Sequence, residues 1–509
     1  MMPFPRAAGI LLHPTSLPGR FGCGDLGAEA HLWVERLATM RQRLWQVLPL
    51  GPTGYGDSPY QAFSTFAGNP LLVSLPWLTE VGLLDGDDLD HFPPLPADQV
   101  DFGAVIPARA AILDRACDRW SRAAPGALER AAEAFAERER GWLDDWCLFA
   151  ALKRRFGGAP WVDWPADLVA REPAALRLAR HRLAAEVAHA RLLQFFFDEQ
   201  WQRLRDRCRS LGIALVGDLP IFVAHDSADV WCHRELFHLD AAGRPTVVAG
   251  VPPDYFAVDG QRWGNPLYRW ERHAADGFAW WVRRLHSVFE RHDVVRIDHF
   301  RGFAAAWEIP AAAPTAATGR WVEGPGRALF DAARRTLGDR PIIAEDLGLI
   351  TADVEALRLE LGLPGMRVLQ FVFGDPPDPT APTTDDDPPD RVVYTGTHDN
   401  DTARGWYDAP ADANPTRTAD AVERERHRAR VRLSSDGSQI HWDLIGMALA
   451  SRAHMAIYPL QDLLGLGSEA RMNVPGRPWG NWTWRFRWEA LTPEIMTRIA
   501  ALTTASGRG

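Results

Sequence analysis

VVRIDHFRGF, residues 294–303, runs a short apolar strand straight into an Arg, an Asp and a His. A buried strand that ends in ionisable groups either pins itself down with an ion pair or presents chemistry, and the rest of the chain decides which. Seven other stretches have the same form: GILLHP at 9, LWQVLPLGP at 44, IALVGDLPIFV at 213, PIIAEDLG at 341, MRVLQFVFG at 366, RVVYTGTHDN at 391 and MAIYPLQD at 455. Between them lie helix-patterned segments such as GAEAHLWVERLATM, WWVRRLHSVFERH, GRALFDAARRTLG and TADVEALRLEL. Strands that alternate with helices pair in parallel through crossovers, and eight such units predict an α/β chain of the (β/α)8 TIM-barrel class.

Two intervals are too long for one strand–helix unit. Residues 75–210, rich in Ala, Arg and Trp at helical spacing, read as a mostly helical insertion after the second strand. Residues 223–290, with GVPPDYFAVDGQRWGNPLYRW in the middle, read as a loop-rich insertion after the third. Both would stand beside the C-terminal face of a single barrel spanning residues 1–509, where barrel enzymes build their sites. GDPPDPTAPTTDDDPPD, residues 374–390, holds six Pro and six Asp and reads as an exposed loop.

Composition removes several classes of function. A chain of 509 residues with 46% apolar and 24% charged residues has enough material for a large core. Its net charge of -10 offers no basic field for phosphate backbones or anionic lipid, so neither nucleic acid nor a membrane surface is an expected partner. Cys23, Cys117, Cys147, Cys208 and Cys232 are odd in number and far apart, which fits reduced thiols and neither a disulfide framework nor a zinc site. The N-terminus lacks a charged segment followed by an apolar run, and the expected location is the cytoplasm. Lys153 is the one lysine among 56 basic residues and lies in helical sequence, which argues against a Walker loop or a Schiff base. GCGDLG, residues 22–27, matches a dinucleotide-binding pattern, but it begins well after its strand and the second strand ends without an acid for a ribose. A tight loop with Asp25 capping the next helix is the better account. No metal or organic cofactor is expected. The 22 Trp, beside 7 Tyr, exceed what a core needs, and indole faces suit sugar rings.

If the barrel is right, strand ends converge on one mouth, and three of them carry acids: Asp298, Glu345 and Asp399, on the fourth, fifth and seventh strands. One such acid alone would be read as an ion-pair or capping residue. Three, with Arg296 two residues before one and His398 beside another, suit glycosidic bond cleavage. There one carboxyl must stay protonated to assist the leaving oxygen while another stays ionised to attack the anomeric carbon. Arg296 is expected to hold Asp298 charged, and Asp346 to help keep its neighbour Glu345 protonated.

The strings GILLHPTSLPG, GPTGYGDSPYQAFSTFAGNP, GDLPIFVAHDSADVW, GVPPDYFAVDGQRWGNPLY, VVRIDHFRGF, IIAEDLG, GLPGMRVLQF, YTGTHDNDT and PLQDLLGLGSEARMNVPGRPWGNWTWR occur in order between residues 9 and 485. The chain thereby resembles glycoside hydrolase family 77, the 4-alpha-glucanotransferases called amylomaltases or disproportionating enzymes, in the alpha-amylase clan. The resemblance implies Asp298 as nucleophile, Glu345 as general acid/base and Asp399 as transition-state stabiliser, with Arg296 and His398 in the same subsite. It also implies that Ser58, Tyr60, Asp218, Trp263 and Asn473 contact the donor glucan, and that Tyr255 and Phe256 lie on a loop arching over the groove. The implied partners are α-1,4-glucans, among them maltooligosaccharides, amylose and fragments of glycogen or starch, and the implied reaction is a retaining transfer through a covalent glucosyl-enzyme. A plain α-1,4-glucan hydrolase with the same three acids is the nearest alternative. A silent glucan-binding protein and a nicotinamide-binding oxidoreductase are the rivals from other classes. One departure is visible: the Asp/Pro run at 374–390 replaces a Pro-His-Asn-like stretch that members often have, so acceptor contacts made there lack a counterpart.

Overall fold

A computed structural model describes residues 6–123, 126–253, 259–374, 389–410 and 418–509. Its centre is an eight-stranded parallel sheet built from β1 (Ala7–Leu11), β2 (Leu44–Gln46), β3 (Ala214–Pro220), β6 (Val294–Asp298), β9 (Ile342–Ala344), β10 (Gly365–Val368), β11 (Arg391–Tyr394) and β12 (Met455–Pro459). The sheet runs in the order β10-β11-β12-β1-β2-β3-β6-β9. Each strand falls on one of the eight apolar stretches singled out in the sequence. At the remaining seam the Ala344 N–H donates to the Pro364 carbonyl at 2.9 Å, so the sheet all but closes into a (β/α)8 barrel. Gly9 marks how tightly β1 and β2 approach: a Cβ there would sit 2.3 Å from the Leu44 Cβ, closer than two carbons can pack.

The barrel interior is filled by side chains, with polar pairs that satisfy one another. Tyr394 donates to Gln46 Oε1 at 2.9 Å and Tyr458 to Gln42 Oε1 at 2.7 Å, all four residues buried. Amphipathic helices cover the outside. The helix Ala279–Arg291 turns Trp280, Trp281, Arg284, Leu285 and Phe289 inward before leading into β6. Trp33, Trp45, Trp161, Trp201, Trp231, Trp280 and Trp281 are fully buried and Trp77, Trp146, Trp164, Trp442 and Trp482 nearly so, so core packing absorbs over half of the indoles.

Between β2 and β3 lies a succession of helices from Leu75–Glu80 to the long Ala184–Ser210, whose Phe195, Phe196, Phe197 and Trp201 are buried. The stretch after β3 holds more regular structure than a loop-rich reading suggests. β4 (Val247–Val251) and β5 (Gln261–Pro266) join β7 (Ala305–Pro310) and β8 (Arg320–Glu323) in an antiparallel sheet ordered β5-β4-β7-β8. That sheet draws strands from the loops after both the third and the fourth barrel strands, and so stands beside the end of β6. Asp25 differs from the expectation as well. Its Oδ1 accepts from the Gly27 N–H at 2.9 Å and its Oδ2 faces Arg109 at 3.4 Å, so it braces the loop, while Gly27 itself is the N-cap of Ala28–Thr39.

Candidate active site

The C-terminal ends of β3, β6, β9 and β11 bring Asp218, Arg296, Asp298, Glu345, His398 and Asp399 together. Arg296 is the hub. Its Nη1 donates to both carboxylate oxygens of Asp218 at 2.8 and 2.7 Å, its Nη2 to Asp298 Oδ1 at 2.8 Å, and its Nε faces the Met366 sulfur at 3.3 Å. Alternation along β6 puts Arg296 and Asp298 on the same face, and Ile297 between them is wholly buried on the other. Asp218 is expected to touch the donor sugar, yet its side chain has 0% exposure. Among the described residues its hydrogen bonds are with Arg296 and with Tyr60, whose hydroxyl donates to its Oδ2 at 2.7 Å.

Glu345 is held differently. Its Oε2 accepts from the His299 N–H at 2.7 Å and its Oε1 from the Leu347 N–H at 2.8 Å, with no cation of its own. The first of these bonds depends on an unusual backbone. His299 follows Asp298 with φ of 52°, the left-handed region that a residue with a Cβ avoids. The Trp263 ring stands edge-to-face on His299 with centroids 4.7 Å apart.

Burial raises Glu345 to about 7, with the charge of Asp298 adding to the rise. Asp346 has no share in it, contrary to expectation. Just past the end of β9, Asp346 turns away from Glu345 to accept from Arg391 at 2.5 Å and from the Met366 N–H at 2.7 Å. Asp298 needs a second correction. Arg296 does pull its pKa down, but burial outweighs that pull, and Asp218 and Asp399 push the same way as burial, so Asp298 rises to about 6.

Asp399 belongs to a self-braced turn. In THDN the Asn400 Oδ1 accepts from the Thr397 N–H at 2.9 Å and from the Thr397 hydroxyl at 2.8 Å, while the Asp399 N–H donates to that hydroxyl at 3.3 Å. Against the upward push of burial, His398 at 3.3 Å and the Asn473 amide at 2.6 Å hold Asp399 well below the usual carboxylate range. His398 shifts the opposite way. Burial lowers its pKa, but Asp399 overrides burial and leaves it raised. Tyr60 stacks on the His398 ring at 5.0 Å and 17°, and Ser58 Oγ accepts from the Tyr60 N–H at 3.2 Å, so Ser58 positions Tyr60. Tyr255 and Phe256 lie outside the described residues.

Some supporting residues escape a reading of sequence alone. Arg471 donates to the carbonyl of Asp399 at 2.6 Å and to that of Asn473 at 2.7 Å, clamping the stabiliser's turn to the residue that grips its carboxylate. Buried Trp482 tilts against both Tyr60 and His398. Their string, EARMNVPGRPWGNW, contributes to the family resemblance, but a side chain aimed at a distant carbonyl has no local pattern that would reveal it. No group of three or more His, Cys, Asp and Glu suited to a metal ion occurs among the described residues.

A family model described as 4-alpha-glucanotransferase matches residues 12–492. The 4-alpha-glucanotransferase of Thermus thermophilus is 50% identical over 512 residues, covering 100% of each chain. That of Synechocystis sp. is 44% identical over 99% of this chain and 98% of its own. Among solved structures, the amylomaltase from Streptococcus agalactiae in complex with acarbose superposes with a TM-score of 0.93 at 36% identity, covering 99% of this chain and 100% of that one. The amylomaltase from Corynebacterium glutamicum, at 19% identity and a TM-score of 0.80, covers 98% of this chain and 75% of that one and supports the fold.

Proposed function

The chain belongs to glycoside hydrolase family 77, the 4-alpha-glucanotransferases, and from that premise we propose that it moves segments of α-1,4-glucan by double displacement, with Asp298, Glu345 and Asp399 as its three working acids. The observation that carries this reading is the unequal company of two neighbouring carboxyls. Asp298 accepts from a guanidinium at 2.8 Å, whereas Glu345 accepts from two backbone N–H groups and no cation. Of the two, Asp298 is the one kept ionised and Glu345 the one kept protonated near neutral pH.

In the first step an Asp298 oxygen attacks C1, the bond from C1 to the glycosidic oxygen breaks, and that oxygen takes the proton of Glu345. In the second, the 4-hydroxyl of an acceptor glucan gives its proton to Glu345 and attacks C1, and Asp298 leaves as a carboxylate. Two inversions give net retention. Positive charge builds on the sugar ring in both transition states, and Asp399, kept ionised by His398 and Asn473, offers it a fixed negative charge. Trp263 and the Tyr60–His398 stack supply ring faces on which donor sugars rest. A relative whose structure holds acarbose supports an oligosaccharide in the mouth. No helix among the described residues is long and apolar enough to cross a membrane, and the five free cysteines fit our placement of the enzyme in the cytoplasm.

The test is incubation of the purified protein with maltotriose and no cofactor. Transfer yields glucose and a ladder of longer maltodextrins with reducing ends nearly constant. Shorter sugars with rising reducing ends would indicate the hydrolase alternative. Asp298→Asn removes the nucleophile and is expected to cut turnover by roughly 10⁴-fold or more while the circular dichroism spectrum stays native.

A further inference from the structure

A second cavity lies on the flank of the barrel, between the insertion helix Arg140–Arg155, the short helix Ala228–Cys232 and the helix Ala279–Arg291. It shares no residue with the mouth. Its volume of about 170 Å³ compares with the ~150 Å³ cavity that takes up a benzene ring in another protein, so one six-membered ring fits. One wall is aromatic. Trp142 has one face stacked on Phe66, with centroids 6.1 Å apart at 16°, and Trp146 stands one helical turn further on. The lining also carries buried polar groups, with Ser287 8% exposed and Asp229 3% exposed.

The state of the lining's charges narrows the ligand. Glu139 accepts from Arg138 at 2.8 Å and from Trp142 Nε1 at 2.6 Å. Asp145 faces Arg171 at 2.9 Å and Arg180 at 3.2 Å, and Asp229 accepts from the Thr65 N–H at 2.8 Å. Those three acids are engaged and Glu290, at the exposed edge, faces His286 at 3.8 Å, so no buried unpaired carboxylate is offered to an organic cation. Of the two guanidiniums in the lining, Arg138 is paired with Glu139 and Asp198, and Arg283 stands among Glu290 and Asp145, which disfavours an anion. The buried Nε1 of Trp146 is left without a hydrogen-bond partner among the described residues. Aromatic faces beside hydroxyl and carboxylate acceptors, with most of the acids already engaged, suit a neutral ring that is apolar on its faces and hydroxylated at its edge.

We propose that this flank cavity is a second saccharide site, which holds a terminal or branch glucose unit of a glucan away from the catalytic mouth, with the ring lying against Trp142 and its hydroxyls on Ser287 and Asp229. The ligand class rests on the glucan reading of the mouth; the site rests on its own lining.

Hydrogen exchange on the Asp298→Asn protein, with and without maltotetraose, separates the two. Expected is protection of residues 296–299 and 398–400 at the mouth, together with residues 138–146 and 283–290 at the flank. At tenfold excess over each Kd, exchange there slows by about tenfold. Trp142→Ala in that background abolishes the flank protection and keeps the mouth's. Should Trp142→Ala fail to fold, Gly141→Phe does the same work, because a side chain at Gly141 meets nothing within 4 Å and projects from the cavity's rim. No flank protection while the mouth is protected, or flank protection that survives either variant, overturns the second site. Loss of protection at the mouth alone would instead count against the glucan reading.

Discussion

Asp298 and Glu345 titrate as neighbours, and their two apparent pKa values belong to the pair. The competent form has Asp298 ionised and Glu345 protonated. With Asp298 raised to about 6 and Glu345 to about 7, kcat/KM for donor falls on the acid side as Asp298 gains a proton and on the alkaline side as Glu345 loses one. Asp218 is the lever that tests this. Its charge raises the pKa of Asp298, so Asp218→Asn moves the acid limb to lower pH, because Asp298 then holds its proton less tightly. A pH–rate profile of the variant reads the shift directly, and a limb that stays put or moves up would mean that the Asp218 charge does not reach Asp298. The same residues show how far a sequence speaks at this scale. The three acids are legible because each ends an apolar strand. The covered position of Asp218, the left-handed backbone of His299 and the Arg471 clamp depend on contacts across the barrel mouth, which leave no local pattern.

Among elements, the eight barrel strands are legible because a parallel strand covered on both faces must be a run of apolar residues, and its polar end marks where it leaves the barrel. Their lengths are not, since β2 and β9 are only three residues each. The antiparallel sheet hides for the opposite reason: GQRWGNP, around β5, mixes Gly, Arg and Pro with no alternation, and β4, its neighbour, finds its other partner β7 in a different loop. The barrel's closure at β1 rests on an element beyond the last helix. Arg508, wholly buried, donates to the carbonyls of Leu449, Ala7, His454, Ser451 and Ala453, fastening the C-terminus across the starts of β1 and β12. Arg508→Ala strands several buried carbonyls at once, a loss of about 3 kcal/mol. A thermal melt at fixed scan rate is expected to shift down by several degrees, with maltotriose turnover at 25 °C unchanged, because no Arg508 contact approaches the mouth. A melt equal to the parent's would show that water satisfies those carbonyls and that the staple adds nothing.

At the scale of the whole molecule, charge is arranged so that it matters to chemistry and not to encounter. The net charge is -10, yet Arg296, the strongest cation of the mouth, is 4% exposed and divides its donors between Asp218 and Asp298. Such a buried triad is screened little by salt, whereas the surface charge is screened within about 10 Å at 0.1 M. A glucan is neutral, so the long-range field of the protein neither draws it in nor repels it, and its arrival rate carries no Coulomb factor. The proposed substrate therefore makes a kinetic prediction that a charged one would not. Between about 0.02 and 0.5 M NaCl, kcat/KM for maltotriose is expected to change by less than about twofold. An anionic or cationic substrate approaching this surface would show a steep dependence instead, typically tenfold or more for a steered encounter. A steep slope with maltotriose would mean that salt reaches the Arg296–Asp298 pair, and that the mouth is wetter than its buried ion pairs indicate.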